Sequence, residues 1–75
     1  MDIKYYKHYL AVGLNIMYER KRCALTQEQL SEKIDLSRQQ LQRIETANAA
    51  PSLDTLFKLS EALNVPVTEF FKNIG

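Results

Sequence analysis

The sequence predicts an all-α fold, because apolar residues recur at three- and four-residue steps and because two helix-start signals stand close together. Thr26 lies three residues before Gln29, and Ser37 lies three residues before Gln40. This is the spacing of a capping box, in which a hydroxyl and a glutamine side chain satisfy the first amides of a helix. The two starts are about eleven residues apart, which leaves room for a helix of roughly two turns and a tight turn.

The apolar spacing supports the same two helices. Leu30 and Ile34 share one face of the first, and Leu41 and Ile44 share one face of the second, so each pair is predicted to point inward. Asp35 stands where the chain reverses between them and is expected to take a positive φ, which glycine would accept more readily.

The second helix then presents polar side chains outward. Arginine can form bidentate hydrogen bonds with guanine and glutamine with adenine, so this face is predicted to read bases. On spacing alone, an ordinary solvated helix face explains these residues equally well. Gln40 ranks lower because its side chain belongs to the capping box. The predicted base-reading residues are Arg38, Gln39, Gln42 and Arg43.

The pattern Q-x-x-L-S-x-x-x-D-L-S-x-x-x-L-x-x-I-E, from Gln27 to Glu45, resembles the helix-turn-helix of the lambda-repressor/Cro-like (XRE-type) family. The likeness continues through PSLDTLFKLSEALNV and covers most of the chain from Ile16 to Phe71. It implies a five-helix lambda-repressor-like DNA-binding domain over residues 1–75, with the helix-turn-helix proper at 26–45. Two departures from the family pattern are Asp35, where glycine is usual, and the uncharged loop TANAAP after Glu45.

The resemblance also assigns roles to single residues. It implies that Arg20 pairs with Glu45 and so fixes the angle of the recognition helix. It implies that Gln27 contacts the DNA backbone. Helix N-termini bind phosphate through free amides, and the polar residues of the loop can donate hydrogen bonds to it. The predicted backbone contacts are Thr26, Gln27, Ser37, Thr46 and Asn48.

A long first helix is predicted over residues 2–23, capped by Asp2. The tyrosines at its start, Tyr5, Tyr6 and Tyr9, either pack under the last helix or cover a dimer partner. Three- and four-residue steps mark a predicted inner stripe. This stripe comprises Ile3, Tyr6, Leu10, Gly13 or Leu14, and Met17.

Two further helices complete the predicted fold. Ser52 caps the fourth, and Asn64 ends it in a role that glycine often fills. A short fifth helix is predicted from Val67 to Lys72. Either one of Phe70 and Phe71 lies in the core and the other is exposed with Ile74 as a candidate dimer contact, or both pack beneath the first helix at Tyr6 and Leu10. The predicted apolar face of the fourth helix comprises Leu53, Leu56, Phe57, Leu59, Ala62 and Leu63.

Composition sets wider bounds. Ten basic and nine acidic residues give a net charge of +1, less basic than is usual for a DNA-binding domain. The single cysteine, Cys23, excludes an internal disulfide and is predicted to be reduced and buried. With one histidine, His8, no metal or other cofactor site is expected. No signal peptide or membrane span is apparent, so a cytoplasmic location is expected.

These observations predict sequence-specific binding of double-stranded DNA by a small repressor or other transcription regulator. A single recognition helix reads few base pairs, so a homodimer on a palindromic operator is expected. The alternative is a protein-interaction module of the same fold, for example an antitoxin-like toxin binder, with weak or no DNA binding. An enzyme is not expected, because no catalytic residue set is apparent and no catalytic residue is assigned.

Overall fold

The computed structural model describes residues 2–74, and within that range every regular element is helical. The all-α prediction is therefore confirmed at this level. The predicted first helix is divided into a 3-10 turn and a long α-helix, and the predicted fifth helix is a 3-10 helix. In order, the elements are a 3-10 helix at Ile3–Tyr5, α1 at Tyr6–Arg22, α2 at Gln27–Lys33, α3 at Arg38–Glu45, α4 at Leu53–Leu63 and a 3-10 helix at Val67–Phe71.

One apolar core joins α1, α2, α3, α4 and the C-terminal 3-10 helix. The predicted inner pairs of α2 and α3 are all buried within it, and buried Ser31 is small enough for the helices to approach closely. Phe70 is fully buried, whereas Phe71 is exposed, and Ile74 packs against the core rather than lying exposed. The core comprises Val12, Ile16, Leu30, Ile34, Leu41, Ile44, Leu56, Leu59, Leu63 and Phe70.

Both predicted capping boxes are present. The Thr26 hydroxyl accepts a hydrogen bond from the amide of Gln29, whose side chain accepts one from the amide of Thr26. Ser37 and Gln40 repeat this exchange at the start of α3. Each box satisfies two amides that the helix itself cannot pair, and therefore sets the residue at which the helix begins.

The four α-helices all end with a residue in the left-handed conformation, and none of these residues is glycine. Ala24, Asp35, Ala47 and Asn64 have φ values between 55° and 61°. The amide of the residue after each of them donates to the carbonyl oxygen five residues earlier, as in a Schellman motif, and the Leu36 amide lies 3.0 Å from the Ser31 oxygen. The predictions for Asp35 and Asn64 are thus confirmed.

The predicted inner stripe of α1 is wrong at Ile3 and Tyr6, which are exposed. Of the two alternatives given for one position, Gly13 is the buried one, and Leu10 and Met17 are half-buried. Ile3 is 87% exposed, Tyr6 43% and Leu14 51%, whereas Val12, Gly13 and Ile16 are buried. α1 carries two apolar stripes, and periodicity cannot tell which of them meets the other helices. Of the alternatives given for the tyrosines, packing under the last element fails for Tyr5 and Tyr6, which are both exposed.

Three other predicted core positions also need correction. Leu53 and Phe57 of α4 are 67% and 58% exposed, because the buried face of that helix runs through Leu56, Leu59 and Leu63. Cys23 is free but only half-buried, at the end of α1, and its Sγ lies 3.7 Å from the carbonyl oxygen of Leu63.

Asn15 fastens the C-terminal 3-10 helix to α1. Its side-chain amide donates hydrogen bonds to the carbonyl oxygens of Phe70 and Lys72, at 3.0 and 2.7 Å. This contact holds Phe70 in the core beneath α1. Within residues 2–74, no helix combines the length and the apolar character needed to cross a membrane.

Candidate nucleic-acid interface

The outer face of α3 is where the structure places all four predicted base-reading side chains. Arg38, Gln39, Gln42 and Arg43 are exposed, and Leu41, Ile44 and Glu45 on the other side of the helix are buried. The buried face holds the helix backbone in place. The long polar side chains therefore project into solvent from a short α-helix, and an α-helix fits into the major groove of DNA.

An ion pair between Arg20 of α1 and Glu45 of α3 anchors the end of the helix. The Arg20 Nε donates to one carboxylate oxygen of Glu45 at 2.7 Å, and its Nη2 donates to the other at 3.0 Å. The side chains are only 9% and 0% exposed. The third nitrogen of the guanidinium donates to the carbonyl oxygen of Leu25 at 2.9 Å, so one side chain ties together α1, α3 and the start of α2.

Gln27 adds a link from α2 to the same carboxylate. Its side-chain amide donates to Glu45 Oε1 at 3.0 Å, and the residue is half-buried. The family resemblance assigns Gln27 to the DNA backbone, and the structure shows a contact within the protein that the sequence did not suggest. An amide nitrogen carries two N–H groups, so this bond leaves one donor for a phosphate.

Gly13 permits the close approach of α1 to α3. A Cβ atom built on Gly13 would lie 2.6 Å from the carbonyl oxygen of Ile44 and 2.7 Å from that of Glu45. Both neighbours are backbone atoms and cannot swing aside. Glycine is therefore required for steric reasons at this position. The sequence placed Gly13 only as one of two members of the inner stripe and gave no sign of this contact.

The starts of α2 and α3 lie close to one another, on either side of a shallow depression. Its lining comprises Arg20, Thr26, Gln27, Glu28 and Arg38, so one carboxylate faces it together with two guanidinium groups. The hydroxyl oxygens of Thr26 and Ser37 accept the capping hydrogen bonds, which leaves their own protons free to donate. Together with the first amides of each helix, these groups form an arrangement suited to phosphate.

The loop after α3 is organised by its own polar groups. Thr46 donates from its hydroxyl to the carbonyl oxygen of Gln42 and accepts from the side-chain amide of Asn48. Arg43 donates to the backbone carbonyl of Asn48 at 3.3 Å. The proton of Thr46 is thus used within the protein, whereas Asn48 is exposed and keeps an N–H group for another acceptor.

The carboxylate of Glu19, next to Arg20 in the sequence, also has an ion-pair partner. Glu19 is buried and accepts a hydrogen bond from Arg22 at 2.7 Å, which raises the pKa of Arg22 above its ordinary value. Every buried side-chain nitrogen and oxygen within residues 2–74 has a hydrogen-bond partner. Over the same described part of the chain, no cluster of histidine, cysteine and acidic residues could hold a metal ion.

An all-helical scaffold that buries one face of a short helix and exposes arginines and glutamines on the other is the architecture of a helix-turn-helix protein. A helix-turn-helix family model matches residues 16–70 of this chain. The protein therefore belongs to the XRE-type helix-turn-helix family, whose members are DNA-binding transcription regulators.

Several known proteins share this stretch. The immunity repressor protein of Bacillus phage phi105 is 44% identical over 59 residues, which are 79% of this chain and 41% of that protein. An uncharacterized HTH-type transcriptional regulator of Sinorhizobium medicae is 34% identical over 62 residues, 83% of this chain and 45% of that protein. The chain thus spans less than half the length of either relative.

Solved structures agree with the fold. The restriction-modification controller protein C.AhdI from Aeromonas hydrophila superposes with a TM-score of 0.81 and 27% identity, covering 84% of this chain and 96% of that one. ComR from S. Thermophilus superposes with a TM-score of 0.78 and 32% identity, covering 89% of this chain but 23% of ComR.

Proposed function

We propose that residues 1–75 form one domain that binds double-stranded DNA in a sequence-specific way and acts as a transcriptional repressor. The observation that carries this proposal is the division of α3 into a buried, anchored face and an exposed face of two arginines and two glutamines. Arg38 and Gln39 stand in the first turn of α3, the part of a recognition helix that reaches base edges. Gln42 and Arg43 follow one turn later on the same side.

In this proposal the starts of α2 and α3 hold the phosphates on either side of the groove. Thr26, Gln27 and Ser37 provide hydroxyl, carboxamide and backbone donors, and Asn48 adds a carboxamide from the following loop. These contacts set the register of the protein on DNA but carry no sequence information themselves. Thr46 contributes mainly by holding Asn48.

The proposed functional unit is a homodimer on a two-fold symmetric operator. One α3 of eight residues can read only a few base pairs. Two copies related by a two-fold axis would place their recognition helices about 34 Å apart, one turn of DNA. The palindrome of the operator would then mirror the symmetry of the protein.

A selection from random-sequence duplex DNA tests this proposal. The protein is incubated with the pool, bound DNA is recovered over several rounds, and the enriched sequences are aligned. Two short inverted motifs whose centres are about one helical turn apart support a dimer that reads sequence. A single enriched half-site would contradict the dimer, and a pool without enrichment would contradict sequence-specific binding altogether.

A second candidate function is a protein-interaction module that keeps this fold with little DNA binding. The near-neutral net charge of +1 and the uncharged loop between Glu45 and Pro51 favour it. Lysine and arginine contacts to phosphate supply most of the sequence-independent affinity for DNA, and the loop after α3 has neither residue. A failed selection in a sample that is folded by circular dichroism would favour this second function.

A further inference from the structure

The exposed side of α1 and of the 3-10 helix before it carries a continuous apolar ridge. Its members follow one another at steps of three, four, four and four residues, the spacing that aligns side chains along one side of a helix. Leu10 is half-buried, and the other four are among the most exposed large apolar side chains of the protein, with Tyr18 at 65%. This ridge, called the α1 outer stripe below, comprises Ile3, Tyr6, Leu10, Leu14 and Tyr18.

Most of the α1 outer stripe lies outside the part of the chain that the family shares. The family match begins at residue 16, and only Tyr18 of the stripe follows that point. The contacts proposed for DNA come from α2, α3 and the loop after α3. The stripe therefore belongs neither to the common scaffold nor to the proposed reading surface, and it needs an explanation of its own.

The charged side chains within the stripe segment have one sign, and near Tyr18 the end of the C-terminal 3-10 helix adds the Lys72–Glu69 ion pair. Lys4, Lys7 and Lys21 are exposed beside it, and no aspartate or glutamate occurs between Ile3 and Tyr18. The acidic residues nearest in sequence are already engaged. The Asp2 carboxylate accepts a hydrogen bond from the backbone amide of Lys4, and buried Glu19 pairs with Arg22.

We propose that the α1 outer stripe is a docking surface for an amphipathic helix of another protein, one with an apolar stripe flanked by acidic residues. The apolar side chains of the two helices would pack ridge into groove, and the acidic flanks would lie opposite Lys4, Lys7 and Lys21. From Ile3 to Tyr18 the surface is about 24 Å long at the helical rise of 1.5 Å per residue, which suits a partner helix of about four turns.

A second copy of this α1 does not fit the same surface. Pairing two α1 outer stripes would bring lysines of one copy against lysines of the other, with no acidic residue from either stripe between them. Like charges opposed across an interface disfavour the pairing. The flanking lysines therefore favour a partner of negative charge and disfavour pairing of the α1 outer stripes of two copies.

Two synthetic peptides of 18 residues provide a direct test. Both carry leucines at alternating three- and four-residue steps, one with glutamate and the other with lysine at the flanking positions. Fluorescence anisotropy with the full 75-residue chain should show the glutamate peptide binding at least about tenfold more tightly than the lysine peptide. Its affinity should fall as salt rises from 0.05 to 0.5 M, because salt screens the lysines.

Substitutions then locate the site. Leu14→Ser and Tyr18→Ser change exposed residues and should each weaken binding of the glutamate peptide about tenfold or more. Leu53→Ser, which removes a leucine of α4 that is more exposed than Leu14, should leave that affinity unchanged. Selection of DNA sequences by Leu14→Ser should match that of the unaltered protein, so this result is independent of the DNA proposal.

Five outcomes would overturn the proposal, and the first three concern the peptides. These are equal binding of the two peptides, binding of neither, and loss of peptide affinity on Leu53→Ser but not on Leu14→Ser. The fourth is stripe-dependent binding to phosphatidylglycerol vesicles without binding of the glutamate peptide, which would assign the surface to an anionic membrane instead. Self-association in sedimentation equilibrium that Leu14→Ser abolishes would equally contradict a partner from another protein.

Discussion

The inner and outer faces of α3 are held in different ways. On the inner face, Leu41 and Ile44 are packed in the core, and Glu45 accepts hydrogen bonds from both Arg20 and Gln27. On the outer face, Arg38 and Gln39 are exposed, and Arg43 is tied only to the backbone of the following loop. A reading surface can vary its side chains freely when the backbone beneath them is fixed from the other side. Substitutions on the inner face should therefore change the free energy of unfolding, and substitutions on the outer face should change the recognition of DNA sequence.

The largest expected effect comes from breaking the anchor. Arg20→Ala leaves the fully buried Glu45 carboxylate without its cationic partner, and removing one member of a buried ion pair costs about 3–5 kcal/mol of unfolding free energy. Urea denaturation followed by circular dichroism measures this loss. As a control, Lys58→Ala breaks the exposed Lys58–Asp54 pair and should cost less than about 1 kcal/mol. Equal losses for the two variants would contradict the anchor.

The next effect comes from filling the space between α1 and α3. Gly13→Ala improves helix propensity but places a Cβ atom against the carbonyl oxygens of Ile44 and Glu45, so a net loss of about 1–3 kcal/mol is expected. Leu14→Ala at the neighbouring exposed position should change stability by about 0.5 kcal/mol or less. Thermal melts of the two variants measure the difference. A Gly13→Ala variant more stable than the unaltered protein would show that a Cβ atom fits between α1 and α3.

A smaller effect, of opposite sign, is expected at the turn between α2 and α3. Asp35 has a φ of 58°, and relief of the left-handed strain by Asp35→Gly should stabilise the protein by about 1 kcal/mol. Asp35→Ala removes the same charge and keeps the Cβ atom, so it should give no such gain. If both variants stabilised the protein alike, the charge rather than the backbone conformation would be the cause.

The smallest effect concerns the salt dependence of DNA binding. Because the proposed phosphate contacts are uncharged and the exposed face of α3 carries two cations, Arg38 and Arg43, the slope of log affinity against log salt should be no steeper than about −2 for each protomer. Asn48→Lys adds a cation to the uncharged loop and should steepen that slope by about one unit per protomer. A slope for the unaltered dimer near −10, the value of a strongly charged repressor, would contradict the assignment.

Local signals in the sequence predicted the helix starts and ends well. A capping box needs only residues three apart, as at Thr26–Gln29 and Ser37–Gln40, and both occur as predicted. The left-handed turns at Asp35 and Asn64 likewise depend on their own residue type and on a few backbone hydrogen bonds. Each of these features is determined by residues a few positions apart, so a short segment of sequence is enough to predict it.

Features that depend on distant partners were predicted poorly. Nothing near Gly13 indicates that the end of α3 will lie against it, and nothing near Asn15 indicates that it will hold the carbonyls around Phe70. Periodicity wrongly placed Ile3 and Tyr6 on the inner side of α1, because these exposed residues repeat as regularly as the buried ones do. The exposed face of α3 was predicted by pattern and resemblance, and its contacts with DNA stay a prediction.

The most direct test of the account compares base-resolved binding profiles of the unaltered protein and of Arg38→Ala. Both are measured on the selected operator and on every single-base variant of it. If Arg38 reads a base pair, the substitution should remove about 1–3 kcal/mol of discrimination at one position in each half-site and leave the other positions and the melting temperature unchanged. A uniform loss of affinity over all sequences, or an unaltered profile, would contradict the claim that α3 reads DNA through this face.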